Sequence, residues 1–219
     1  MGKRGPEPRK TISEKWSPQL AYAIGLLVTD GCLARKNYLV DLTSKDLEQL
    51  QNFSKCIGRQ CKIGYKSSGY SEKNIGRIQF KNYYFYNFLL SIGLMPAKSR
   101  IIGAIKIPSK YFWDFVRGAY DGDGSSYSYW DPRWKSSFMF YTSFVSASPA
   151  FIEWMRSEVR SRVGAHGHIS ASAGLQQLRY AKADSLKILR KMYHTDNVFC
   201  LSRKKLKIER ILATVGEKL

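Results

Sequence analysis

Two segments of the chain share one pattern, in which an apolar stretch carries a glycine five residues before an aspartate and closes on Asp-Gly. The first reads AIGLLVTDG and the second reads VRGAYDGDG. Each segment predicts a helix that ends at a carboxylate. A glycine on a helix lets a second helix approach closely, because glycine has no side chain. Two helices packed through Gly25 and Gly118 would therefore bring Asp30 and Asp123 together.

The residues after each motif predict the same order of elements: two strands, a helix, two strands and a helix. The expected fold class is α+β, with two pseudo-symmetric αββαββα halves. We expect a flexible basic arm at 1–16, a first half at 17–106 and a second half at 107–219. The predicted helices are 17–30, 46–57, 83–92, 109–121, 148–163, 184–193 and 202–215, and the predicted strands are 38–43, 61–66, 75–81, 125–130, 135–144, 166–171 and 175–181.

The charge of the chain indicates a polyanionic partner. Lysine and arginine number 36 against 17 acidic residues, which gives a formal net charge of +19 that is spread along the chain. A generic basic protein is the alternative, although 14 tyrosines and 5 tryptophans argue against an extended polybasic chain. No apolar run approaches the ~20 residues that a membrane span requires, so we expect no membrane association.

The cysteines and histidines do not predict a metal centre. The cysteines form no Cys-x-x-Cys pair and have no histidine at the spacing of a zinc site, so we interpret them as reduced thiols. His166 and His168 lie in a segment that resembles a strand, where they could contact a nucleic acid or belong to a solvated hairpin. The cysteines are Cys32, Cys56, Cys61 and Cys200.

The two motifs resemble the signature of the LAGLIDADG homing endonucleases, in the single-chain form that carries the motif twice. The second copy, FVRGAYDGDG, fits the family pattern closely. The first copy has Val28 and Thr29 at its sixth and seventh places and keeps the glycine and the final Asp-Gly. In this family only the eighth position must be acidic for cleavage, and Asp30 and Asp123 occupy it. The resemblance implies a saddle of antiparallel sheets with the motif helices at the interface of the halves.

The paired aspartates have the chemistry of a divalent metal site. A carboxylate at a helix C-terminus faces the negative end of the helix dipole, so two such carboxylates are unfavourable unless a cation is bound. Magnesium prefers oxygen ligands, and metal ions can activate a water and stabilise the departing oxygen of a phosphodiester. We expect Mg²⁺ as the cofactor, with Mn²⁺ able to substitute and Ca²⁺ binding without efficient cleavage. The backbones of Gly31 and Gly122 are further candidate ligands. The alternative of a calcium loop at 121–125 lacks the later ligands of that motif.

Two lysines resemble the lysine that the family often places near the cleaved phosphate. Lys98 and Lys204 follow the glycines that end the preceding helices, Gly58 and Gly164, at the same interval. Arg203 and Lys205 are almost equally good candidates, and an ordinary phosphate contact or a solvated charge is the alternative for each lysine. Secondary polar positions around the attacking water are expected, again from the resemblance, at Ser44, Lys45 and Ser146.

The strands predict a polar surface for DNA. In RIQFK, Arg77, Gln79 and Lys81 alternate with Ile78 and Phe80, so one face of the sheet packs on helices and the other is polar. Arginine and glutamine can contact base edges and lysine can contact phosphates, although an ordinary solvated face is the alternative for any single strand. The candidate DNA contacts are Arg35, Lys36, Lys62, Lys66, Arg77, Gln79, Lys81, Arg133, Lys135, His168, Gln177 and Arg179.

The sequence thus predicts a monomeric, intron-encoded endonuclease that hydrolyses one phosphodiester in each strand of a long double-stranded DNA site. The resemblance implies 3′ overhangs, no obligate protein partner and a location in a DNA-containing intracellular compartment. The alternative is a binding protein of the same fold, either an intron maturase or a DNA regulator that does not cut. Loss of an acidic residue at one motif would favour that alternative, and both residues are retained.

Overall fold

The computed structural model describes residues 7–68, 71–134 and 136–219. The first half consists of α1 (Pro18–Thr29), β1 (Gly31–Leu33), β2 (Leu39–Ser44), α2 (Leu47–Cys56), β3 (Ile63–Ser68), β4 (Ser71–Lys81) and α3 (Tyr83–Ser91). The second half consists of α4 (Phe112–Asp123), β5 (Ser125–Trp130), β6 (Phe138–Ser146), α5 (Pro149–Val163), β7 (His168–Ser172), β8 (Leu175–Tyr180), α6 (Lys182–Met192) and α7 (Ser202–Thr214). The predicted α+β fold with two similar halves is confirmed.

Each half contains one four-stranded antiparallel sheet. The strand orders are β1-β2-β4-β3 and β5-β6-β8-β7, so the two sheets have the same topology. The alternation predicted for β4 is present: Ile78 and Phe80 are buried, whereas Gln79 and Lys81 are exposed. One face of each sheet therefore packs on the helices and contributes to the core, and the other face is open.

Several predicted boundaries differ from the structure. Strand β4 begins four residues earlier than expected, and strands β3, β6 and β7 begin two or three residues later. Helix α4 begins at Phe112 and continues to Asp123, where the sequence predicted 109–121. The last turn of α4 persists because the Lys204 ammonium hydrogen bonds to the carbonyl oxygens at its end, which compensates for the glycine inside that turn. Gly124 then adopts an extended conformation and ends the helix.

The segment before α1 is anchored where it is described. Ile12 is only 2% exposed, and the Thr11 hydroxyl accepts hydrogen bonds from the side chains of Arg59 and Asn82. Within the described part of the predicted arm, Ile12 therefore packs in the core, because burial removes its apolar side chain from water. The flexibility expected of residues 1–16 stays a prediction. The beginning of the predicted arm, residues 1–6, lies outside the described residues. No helix in the described ranges combines the length and apolarity needed to cross a membrane.

Candidate active site

The two motif helices pack through their glycines. A Cβ atom at Gly25 would lie 2.3 Å from the backbone oxygen of Phe115, and one at Gly118 would lie 2.1 Å from the backbone oxygen of Tyr22. These distances leave no room for a side chain at either glycine, so the backbones of α1 and α4 are in contact at this point. The contact brings the C-terminal ends of both helices to one place, as the sequence predicted.

Asp30 is held by side chains of its own half. Its Oδ2 accepts a hydrogen bond of 2.7 Å from Gln49 Nε2 and one of 3.3 Å from the Thr29 hydroxyl. The Ser44 hydroxyl in turn donates to Gln49 Oε1 at 2.6 Å. Burial raises the pKa of Asp30, while the hydrogen bonds from Gln49 and Thr29 oppose that rise. The chain Ser44–Gln49–Asp30 thus fixes the orientation of one carboxylate.

Asp123 lies next to Asp30 and is much less constrained. A Cβ atom at the neighbouring Gly122 would lie 2.7 Å from Asp30 Oδ2, which places the first carboxylate against the end of α4. Removal from solvent raises the pKa of Asp123, and the charge of Asp30 raises it further. Among the described residues, none donates a hydrogen bond to the Asp123 carboxylate. The two carboxylates therefore repel each other, and one of them is free to bind a cation.

Lys98 and Lys204 occupy equivalent places at the ends of the motif helices. Lys98 Nζ donates to the Thr29 carbonyl at 3.3 Å, and Lys204 Nζ donates at 3.1 Å to Gly122, which precedes Asp123 as Thr29 precedes Asp30. Both lysines are buried, with 6% and 9% of their surface exposed. Burial lowers the pKa of Lys98, an effect that the charge of Asp123 partly offsets. Burial likewise lowers the pKa of Lys204, to about 8, and the charge of Asp121 opposes this.

The structure distinguishes Lys204 from its neighbours. Lys204 also donates to the carbonyls of Tyr120, Asp121 and Gly124, at 2.6, 2.8 and 2.7 Å. Arg203 instead forms an ion pair with Asp46, and Lys205 lies 3.9 Å from Glu209 on its own helix. Of the three cations that the sequence left open, Lys204 is the one that lies at the paired aspartates.

The Asp121 carboxylate is buried and hydrogen bonded within the protein, so it is not placed to bind a cation. Its Oδ2 accepts hydrogen bonds of 2.8 Å from both the Tyr22 hydroxyl and the Leu201 amide, and the residue is 1% exposed. Burial raises the pKa of Asp121 to about 6, against the lowering effect of the hydrogen bond from Tyr22. Because this carboxylate points into the contact between α1 and the segment before α7, it is unavailable to a calcium loop.

The two halves differ in the polar residues that surround the aspartates. Ser44 and Ser146 end equivalent strands, and each hydroxyl accepts a hydrogen bond from the backbone amide two residues later. Five residues after these serines stand Gln49 in the first half and Phe151 in the second, so the amide that binds Asp30 has an apolar counterpart. Ser146 lines a pocket of about 240 Å³ together with Asp123 and Lys98. Lys45, the third secondary polar candidate, follows Ser44 in the chain and is exposed.

Gln49 was not predicted from the sequence. It is 4% exposed and lies on the inner face of α2, where Asn52 and Cys56 are also buried. A polar side chain at a core position of an amphipathic helix is the signal that could have identified it, because a buried amide must find a hydrogen-bonding partner. The sequence alone does not reveal that the partner is Asp30.

The donor set fits a hard divalent cation. The site offers two neighbouring carboxylates, burial raises the pKa of both, and the charge of Asp30 raises that of Asp123 further, so a positive ion would relieve their repulsion. In the described part of the chain, no group of three or more histidine, cysteine, aspartate and glutamate residues could hold a metal ion. Further ligands would have to come from backbone oxygens, water or a phosphate. The Gly122 carbonyl already accepts a hydrogen bond from Lys204, and Gly31 lies in β1 opposite Leu42.

The candidate DNA contacts lie mainly on the open faces of the two sheets and in their loops. Arg77 binds the Asp41 carboxylate across the sheet through Nε, at 2.7 Å, and through Nη2, and Gln79 approaches the same carboxylate at 3.4 Å. Arg133 pairs with Asp131 at the tip of the β5–β6 hairpin. Lys135 lies outside the described residues. The exposed candidates are Arg35, Lys36, Lys62, Lys66, Gln79, Lys81, Arg133 and His168, and the partly buried ones are Arg77, Gln177 and Arg179.

Comparison with known proteins shows what this architecture resembles. No family model and no curated protein matches the sequence. The meganuclease I-SmaMI bound to uncleavable DNA aligns over 92% of this chain and 93% of its own, with a TM-score of 0.61 and 13% identity. The homing endonuclease I-DmoI aligns over 88% and 97%, with a TM-score of 0.55 and 16% identity. The chain has the LAGLIDADG fold.

The LAGLIDADG fold also occurs in a protein that is named without reference to cleavage. The N-terminal LAGLIDADG domain of WhiA aligns over 90% of this chain and 88% of its own, with a TM-score of 0.55 and 16% identity. The fold is therefore established, and the choice between cutting and binding depends on the residues at the ends of the two motif helices.

Proposed function

We propose that this LAGLIDADG protein is a metal-dependent endonuclease that cuts both strands of a specific double-stranded DNA site. The observation that carries the proposal is the convergence of Asp30 and Asp123 at the ends of two helices in backbone contact, with Lys98 and Lys204 bound at the same two ends. A protein that only binds DNA has no need to bring two mutually repelling carboxylates together. Retention of both acidic residues therefore favours hydrolysis.

The chain supplies positioning and charge for the reaction. Asp30 and Asp123 would hold Mg²⁺ or Mn²⁺, and bound metal would supply water activation and stabilisation of the departing oxygen. Gln49 orients Asp30 through its 2.7 Å hydrogen bond. Lys98 and Lys204 place ammonium groups where a scissile phosphate gains negative charge, which favours the transition state over the bound substrate. Consistent with these metals, I-DmoI has been crystallised with DNA and Mn and with DNA and Ca.

The open sheet faces would contact the duplex on both sides of the cut. Each half contributes one sheet, so one chain has the two surfaces needed for a long asymmetric site, and we propose a monomer. The motif helices would lie over the centre of the site and hydrolyse one phosphodiester in each strand, leaving 3′ overhangs. The net charge of +19 favours association with the phosphate backbone.

The proposal is tested by separating binding from cleavage. A bound site is first obtained by selection from a randomised duplex library in Ca²⁺ with the full chain, and cleavage of that site is then measured in Mg²⁺. Asp30→Asn and Asp123→Asn should each abolish double-strand cutting and largely preserve binding. Asp196→Asn, at an exposed carboxylate, is the matched control and should cut like the parent.

The alternative of a binding protein predicts a different result. The parent would then bind its selected site and leave both strands intact in Mg²⁺ and in Mn²⁺, as the presence of the fold in WhiA allows. Full cutting by either asparagine variant would also exclude the paired site, because the remaining carboxylate could not perform both roles.

A further inference from the structure

The open faces of the two sheets have different chemistry. In the first sheet the centre of the face is charged, since Arg77 and Gln79 both approach Asp41. In the second sheet the corresponding strand β8 carries Gln177 and Arg179 on the open face, and the neighbouring strands β5 and β6 add aromatic side chains to that face. Tyr127 pairs in register with Tyr141, and Tyr129 pairs with Met139, so these four side chains share one face. We refer to Tyr127, Tyr129 and Tyr141 as the tyrosine cluster.

The tyrosine cluster is a packed arrangement with a defined exposed side. The Tyr141 ring stacks on Tyr127, with centroids 5.1 Å apart and planes at 17°, and on Tyr129, at 6.2 Å and 12°. Arg179 Nη1 donates to the Tyr127 hydroxyl at 3.2 Å. Tyr129 keeps 42% of its surface exposed. Because Tyr141 stacks with both of the other rings, the three side chains form one continuous aromatic surface that includes the exposed part of Tyr129.

This face continues directly from the active site. Ser125, which begins β5, is two residues after Asp123, and its register with Ser143 places it in line with Tyr127 and Tyr141 on the same side of the sheet. Strands β5 and β6 are also longer than β1 and β2, which they match in position. A duplex whose backbone is centred on the aspartates would therefore run over the tyrosine cluster.

The chemistry of the face selects among the groups that a duplex offers. The ring carbons of the tyrosine cluster and the Met139 side chain are apolar, and in the major groove the distinctive apolar group is the 5-methyl of thymine. A single strand, whose unpaired bases stack on aromatic rings, is the alternative occupant of this surface. The methyl groups of thymine are thus the part of a nucleic acid that this surface fits best.

We propose that the second sheet recognises a thymine-containing half-site through contact of the tyrosine cluster and Met139 with thymine methyl groups, in addition to the hydrogen-bonding side chains of Gln177 and Arg179, whereas the first sheet recognises its half-site through hydrogen-bonding side chains such as Arg77 and Gln79. This inference rests on the proposed binding of duplex DNA. It makes the tyrosine cluster a determinant of specificity and predicts that the two half-sites are read by different kinds of interaction.

The test uses the duplex site selected with the full chain in Ca²⁺. Repeating the selection with Arg77→Ala identifies the half-site of the first sheet, because sequence preference should relax there. Thymines are then replaced by uracils, which lack the methyl group, in one half-site at a time. In the half-site of the second sheet, affinity should fall about fourfold for each methyl group in contact, from the transfer free energy of one buried carbon. Replacement in the other half-site should leave affinity nearly unchanged.

Substitutions in the tyrosine cluster test whether these side chains cause the loss of affinity for duplexes that contain uracil. Tyr129→Ser should reduce the difference between thymine and uracil duplexes, because one of the contacting rings is lost, and Tyr129→Phe, which retains the ring, should preserve it. Tyr65→Ser is the matched control: Tyr65 is 61% exposed, and its register with Gly76 places it on the opposite face from Arg77. This control should discriminate like the parent.

Each outcome bears on one of the two proposals. A selection that enriches no sequence would overturn the proposed function and this inference together. A clear site without thymine in the second half-site, or equal uracil effects in both half-sites, would overturn the inference alone. Tighter binding to the single strand than to the duplex would also overturn it and would identify the second sheet as a surface for unpaired bases.

Discussion

Gln49 Nε2 donates a hydrogen bond of 2.7 Å to Asp30 Oδ2, and this bond makes the two catalytic candidates unequal. Asp123 has no such donor among the described residues, because the position equivalent to Gln49 is Phe151. Two halves with the same topology thus present one fixed and one less constrained carboxylate. A pseudo-symmetric site of this kind should treat the two DNA strands differently.

We expect Gln49→Leu to slow the cleavage of one strand more than the other. Loss of a residue that orients a metal ligand typically costs about 10- to 100-fold in metal affinity or activity. Nicked duplex should therefore accumulate in a single-turnover assay, with a consistent strand preference. Gln51→Leu, an exposed glutamine on the same helix, is the control and should produce no nicked intermediate. Equal slowing of both strands would show that Gln49 acts on the whole site rather than on Asp30.

Gly25→Ala and Gly118→Ala should each destabilise the fold. An added Cβ would meet backbone atoms at 2.3 and 2.1 Å, so the helices must separate, and overpacking of this kind costs about 1–3 kcal/mol or more. The free energy of unfolding in urea measures the effect. Gly103→Ala is the control, because a Cβ there would meet no atom within 4 Å. Parent-like stability of either helix variant would mean that the helices are less closely packed than the glycines indicate.

We expect Lys98→Met and Lys204→Met to differ in their effect on stability and to have similar effects on the rate of cleavage. Lys204→Met leaves four carbonyl oxygens without their donor and should lower the free energy of unfolding by about 1–3 kcal/mol, whereas Lys98→Met removes one hydrogen bond and should cost less. Both variants should slow single-turnover cleavage more than they weaken DNA binding, since charge stabilisation in the transition state does not affect ground-state affinity. Parallel losses in rate and affinity would reduce both lysines to phosphate contacts.

Asp121 predicts a pH dependence of stability. Its pKa is raised to about 6 in the folded protein, so between pH 4 and pH 6 the folded state holds a proton that the unfolded state has lost, and stability falls as pH rises. Asp121→Asn mimics the neutral carboxyl and lacks this dependence. Relative to the parent in metal-free buffer, the variant should therefore gain up to about 3 kcal/mol between pH 4 and pH 7, because each pKa unit is worth about 1.4 kcal/mol. A constant difference across this range would exclude the buried charge as the cause.

The sequence determined the fold because its main signals are local and repeated. The motif glycines, the Asp-Gly endings and the alternation in β4 each have a direct physical consequence, and two copies of the pattern predict two similar halves. Pairing of Asp30 with Asp123 followed from the same glycines, since closely packed helices bring their ends together. Where prediction missed an element boundary, as at the end of α4, the cause was a distant residue, Lys204, that stabilised the last helical turn.

Only the tertiary structure decided which side chains lie at the candidate site. It selected Lys204 over Arg203 and Lys205, revealed Gln49 as the partner of Asp30, and paired Arg77 with Asp41. It also assembled the tyrosine cluster from residues on two strands. Most of these relationships join residues that are distant in the sequence, and the choice among Arg203, Lys204 and Lys205 is between residues of similar chemistry. A pattern along the chain specifies neither the direction of a side chain nor the residue that it contacts. Both depend on how the helices and sheets pack.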